Sequence, residues 1–159
     1  MENQEILHII AELAVAIVGF SGIVAALGRK RTWNAVEIRN LATMLRAGFS
    51  AMFLSLLPIG INLLGQPDFV WRISLTILAT VMFTNLAIYI VRSRNAKQTI
   101  SQKLMFPMGA VVLLASTLGA IGVIGPASSV YIMALLWMLI VSSHNFVLLL
   151  TRNLVGDGQ

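Results

Sequence analysis

The chain has no cysteine among its 159 residues. Disulfides and thiolate metal sites are therefore excluded, and redox chemistry says nothing about compartment. Charge is scarce as well. Asp, Glu, Lys and Arg make up 11% of the residues, where soluble domains carry about 25%. No polar stretch between the apolar runs is long enough to fold alone, which excludes a soluble catalytic domain. The first residues hold Glu2 and Glu5 but no Lys or Arg, the reverse of a cleavable signal's basic start. Lipidation is not expected either, because Glu follows Met1 and cysteine is lacking. Metal-ligand pairs, phosphate-binding glycine loops and nucleotide motifs are missing too, so no cofactor is expected.

What is present is apolar. Hydrophobic residues make up 58% of the chain, and the mean hydropathy is +0.88. That places it in the membrane class, with the lipid bilayer as its first partner and one domain expected at this length. The formal charge of +5 would suggest nucleic acid in a soluble protein. Here the basic residues sit in short loops beside apolar spans, where they set topology and meet anionic lipid. No long basic face remains for a nucleic acid.

The stretch that organises the rest runs from Glu12 to Leu27, uncharged after Glu12 and closed by Gly28-Arg29-Lys30-Arg31. With the run from Ile6 it reaches about 20 residues, enough for a helix to cross the hydrocarbon core. The same reasoning predicts further spans over residues 41–64, 70–91, 104–124 and 130–150, after a first at 6–27. Pro58 is expected to kink the second. The glycines at 109, 119 and 122 are potential breaks in the fourth. Trp33 falls where an interfacial aromatic belongs. The expected fold is all-α: a polytopic transmembrane bundle of five helices.

Orientation follows from the cations. With five spans, all of the 11 Lys and Arg except Arg72 fall on one side, which includes both basic loops and the C-terminus. The positive-inside rule then predicts the N-terminus outside, the C-terminus in the cytoplasm, and residence in a bacterial cytoplasmic membrane.

Helical rise places the polar side chains in depth. Glu12 falls roughly 6–9 Å below the outer boundary, with His8 one turn above it on the same face. An intramembrane carboxylate is a functional-site hypothesis by default. Its functional reading is a proton- or cation-binding acid whose pKa burial would raise; its bland reading is an ion pair with Arg72. Asn62 lies near Arg72 at the outer ends of their helices. Asn85, His144 and Asn145 lie in the inner half, with Arg46 snorkelling to the cytoplasmic face. Thr76, Thr80 and Thr84 form a column between the layers. It lines a water path if its hydroxyls are free, and none if they bond back to their own helix. Small residues at four-residue spacing prepare close helix contacts, within the protomer or between subunits: Gly22 and Ala26, then Ala47, Ala51 and Ser55, then Ala115 and Gly119.

Two resemblances bear on function. Gly19-Phe20-Ser21-Gly22 resembles the Gly-x-Ser-Gly around the nucleophile of rhomboid intramembrane proteases, which pair such a serine with a histidine on a later helix. Ser21 and His144 are the corresponding types here. The rhomboid core has six spans with the serine on a late one, whereas Ser21 is in the first of five, so an enzyme is not expected. The lone acid in the first helix looks like the coupling carboxylate of small multidrug transporters, which are shorter four-helix proteins. The expectation is a homo-oligomeric channel or transporter for protons or cations, with Glu12, His8, Arg72, Asn62, Thr80, Thr84, Asn85, His144 and Asn145 along the path. The alternative is a non-transporting scaffold, sensor or assembly subunit.

Overall fold

The computed structural model describes residues 2–27, 33–62, 67–93 and 100–155. Five helices follow in order: α1 (Glu2–Leu27), α2 (Ala35–Asn62), α3 (Pro67–Ser93), α4 (Ile100–Ala120) and α5 (Ala127–Val155). Backbone groups find no water in hydrocarbon, and a helix satisfies them within its own segment. Four helices hold apolar stretches long enough to cross a membrane: Asn3–Val24, Ala35–Asn62, Phe69–Val91 and Ala127–Thr151. The chain is a multi-pass membrane protein. The expected basic clusters at 29–31 and 94–97, and the tail from 156, lie outside the described residues.

The helices overrun the expected spans because their polar first and last turns remain helical. α2 starts six residues before the apolar run, at a reciprocal cap. The Asn34 side-chain oxygen accepts from the Glu37 N–H, and the Glu37 carboxylate accepts from the Asn34 N–H, both at 2.9 Å. This Asn-x-x-Glu box satisfies two donors that the first turn leaves open.

α4 is the exception in the other direction. It stops four residues before the expected 124. Gly122 takes φ +80°, Val123 N–H bonds to the Leu118 carbonyl at 2.9 Å, and Gly122 N–H to Gly119 at 3.1 Å. This pair of bonds around a left-handed glycine is the Schellman stop.

α2 lies at the centre, packed on α5 and α1, while α3 packs chiefly on α4. Its small face is what lets it sit there. Ala47, Ala51 and Ser55 are buried. At Gly48 a Cβ would stand 2.6 Å from Val18 and 3.1 Å from the Ser142 hydroxyl. Gly119 of α4 similarly meets Val130 and Leu75, and Ala115 is half-buried. These faces build the protomer. Gly22 and Ala26 instead point away from the bundle.

Pro58 lies inside α2 and donates no N–H, so the Leu54 carbonyl one turn earlier loses its helical partner. The Tyr131 hydroxyl of α5 donates to that carbonyl. Tyr131 is fully buried and meets Trp71 edge-on, with ring centroids 5.9 Å apart. A neighbouring helix thus satisfies the carbonyl that the proline frees, as membrane helices with proline require.

Candidate functional site

The polar residues separate into an inner cavity, an outer cavity and one uncovered helix face. The inner cavity, about 160 Å³, lies where the first half of α2 meets the last turns of α3, the start of α4 and the later half of α5. α2 contributes Arg39, Asn40 and Arg46. The two arginines are seven residues apart, two helical turns, and so share a face. α3 adds Asn85 and Tyr89, and α5 adds Trp137, His144 and Asn145. Met105, Phe106 and Gly109 of α4 close the side. The Ser142 hydroxyl donates to the Met44 carbonyl at 2.9 Å, tying α5 to α2 beside the cavity.

The electrostatics of this cavity are one-sided. Among the described residues two arginines line it and no Asp or Glu does. The Arg39 Nε and Nη2 atoms are buried with no hydrogen-bond partner, and so is the His144 Nε2. Buried polar groups without partners are rare in proteins and each calls for an explanation. The Asn145 amide is satisfied, donating to the Val141 carbonyl at 2.8 Å.

The outer cavity, about 250 Å³, lies at the opposite end of α2 and is lined by Asn3, Gln4, Pro58, Asn62 and Trp71. Apolar core separates the two cavities: Leu54, Leu75, Leu78, Tyr131 and Leu135 are all buried between them. The expected continuous polar path does not run through the protomer. Thr76, Thr80 and Thr84 stand on an exposed face of α3, where their hydroxyls donate at 2.8–2.9 Å to the carbonyls of Arg72, Thr76 and Thr80.

Glu12 and His8 are on neither cavity. Both point away from the bundle on α1, in line with Glu5 one turn further out. Glu12 lies about 9 Å along α1 from Ile6, where the apolar run begins. Its expected partner is elsewhere. Arg72 is on α3, with its guanidinium nitrogen 3.3 Å from the place a Gly122 Cβ would occupy, whereas α1 packs on α2 and α5. Among the described residues no ion pair joins Glu12 to Arg72.

The cavity brings together Arg46, Asn85, His144 and Asn145, which the sequence places in the inner half, and adds Arg39, Asn40 and Tyr89. The shared face of Arg39 and Arg46 was the available signal, read in the sequence as topology. Ser21 is buried and its hydroxyl donates to the Val18 carbonyl of its own helix. With His144 Nε2 unpartnered, the two do not form a serine–histidine pair. No metal-binding cluster of His, Asp or Glu occurs among the described residues. The chain matches no protein family, no curated protein and no solved structure.

Proposed function

We propose that this chain forms a homo-oligomer whose α1 faces surround a pathway for protons or cations, with Glu12 as the binding carboxylate. One observation carries the reading: Glu12 stands inside the first apolar helix, on a face that no other helix covers among the described residues. Ionisable side chains within membrane spans face a bundle interior or a water-filled cavity, because hydrocarbon cannot solvate them. Within the protomer Glu12 has neither, so further copies of the chain supply the enclosure. Glu5 and His8 extend the titratable line toward the N-terminal end. Ala16 and Gly19 continue the same face inward and let neighbouring α1 helices approach. The cargo is a cation because the line is acidic. The inner residues Asn85, His144 and Asn145 leave the path, since the arginines beside them repel a cation. The positive-inside rule sets the N-terminus outside and the basic loops against cytoplasmic anionic lipid.

A second reading has its own support. The threonine hydroxyls bond within α3 and the protomer core is apolar, as in a scaffold, sensor or assembly subunit. Glu12→Gln separates the two, because it keeps size and hydrogen-bonding reach but removes the titration. The variant is expected to assemble like the wild type and to lose pH-dependent ion flux in proteoliposomes. Intact assembly with unchanged flux rejects the carboxylate pathway. Absence of flux in the wild type favours the scaffold.

A further inference from the structure

We infer that the inner cavity binds the oxyanion head of an amphiphile, a phosphate group carried by an anionic phospholipid, between Arg39 and Arg46. The inference is independent of the α1 pathway and starts from the unmatched charge. Among the described residues both arginines line the cavity and no acid does, and the Arg39 Nε and Nη2 atoms are buried without an acceptor. A guanidinium whose nitrogens reach water can snorkel and needs no partner. These two nitrogens do not reach it. Nε–H and the neighbouring Nη2–H point the same way, and once the side chain turns them to the cavity this lateral fork matches two oxygens of one phosphate. Arg46, two turns along the same face, lines the cavity with it, as does His144, whose Nε2 is buried and unpartnered.

The rest of the lining specifies the carrier. Met82, Met105, Phe106 and Trp137 make an apolar wall beside the polar end, suited to the first methylenes below a headgroup, and the methionines adapt to irregular chains. At about 160 Å³ the cavity equals about five water volumes. That holds a phosphate and a few carbons, while the acyl tails stay in the bilayer. Free phosphate offers the same head without the chain.

The test uses the full-length protein in neutral detergent, titrated with phosphatidylglycerol, phosphatidylcholine or inorganic phosphate, and read by thermal unfolding and native mass spectrometry. Phosphatidylglycerol is expected to raise the unfolding temperature and remain bound, and phosphatidylcholine to do neither. Arg39→Gln and Arg46→Gln should each weaken phosphatidylglycerol binding about tenfold or more, the loss expected for one charge-assisted hydrogen-bond set. Arg39→Lys keeps the charge but loses the fork, and should weaken it by a smaller factor. Without lipid, Arg39→Gln should be no less stable than the wild type, because it removes two buried, unpartnered donors; a merely structural arginine gives the opposite. The same stabilisation by inorganic phosphate alone supports the oxyanion site and identifies its ligand as soluble. Equal binding of the two lipids, or undiminished phosphatidylglycerol binding by Arg46→Gln, overturns the proposal even if Arg39 variants do not fold.

Discussion

At the scale of single residues, the most informative contact is Tyr131 to the Leu54 carbonyl. It exists because Pro58 cannot donate to that carbonyl. Removing one partner of a buried hydrogen bond leaves the other desolvated and unpaired, at about 1–3 kcal/mol. Tyr131→Phe is therefore expected to lower the unfolding free energy in detergent by about that amount. Pro58→Ala returns an N–H to residue 58 and with it a helical donor for Leu54. In that background Tyr131→Phe should cost distinctly less. A double-mutant cycle on thermal or denaturant unfolding measures the coupling. Equal costs in both backgrounds would show that the hydroxyl and the proline act independently.

At the scale of elements, helix ends are set by local chemistry, and α4 shows how much one residue decides. Gly122 stands at φ +80°, a region where an L side chain costs about 1–2 kcal/mol. A Cβ there would also press on the Arg72 guanidinium at 3.3 Å. Gly122→Ala should destabilise the protein by about 1–2 kcal/mol, visible as a lower unfolding temperature. Gly125, at φ +44° with open space around it, lacks the second penalty and should be the milder site. The Asn34–Glu37 box at the head of α2 acts in the same local way. Asn34→Ala is expected to cost about 1 kcal/mol and to loosen the turn that carries Arg39.

At the scale of the whole molecule, covered and uncovered small residues make opposite predictions. Ala51 is fully buried in the protomer core, so Ala51→Leu overpacks it, at about 1–3 kcal/mol. Gly19 has nothing within 4 Å of its would-be Cβ and shares the face of Glu12. Gly19→Leu should leave protomer unfolding unchanged and weaken the proposed homo-oligomer, as read by native mass spectrometry. An unaltered oligomer would exclude α1 from the subunit contact. Orientation belongs to this scale too. Reporter fusions at Gln159 and within residues 94–103 should both report cytoplasm, and opposite reports would refute an odd number of crossings.

The sequence by itself determined the helix count, the membrane setting and the inventory of intramembrane polar groups. These depend on hydropathy and backbone chemistry, which act over a few neighbouring residues. It did not determine which side of each helix is covered. In a soluble protein the polar stripe marks the exposed face, but lipid is as apolar as a leucine core, so spans apolar all round carry no such mark. Only the tertiary structure could bury Ala47 and Ala51 while leaving Glu12 and Gly22 outside. Only it could set Arg72 against Gly122 instead of Glu12, and turn Arg39 from a topological marker into a cavity wall. Whether a polar side chain in a membrane meets lipid, a cavity or another helix is decided by which helices pack beside it, and that arrangement is a property of the bundle.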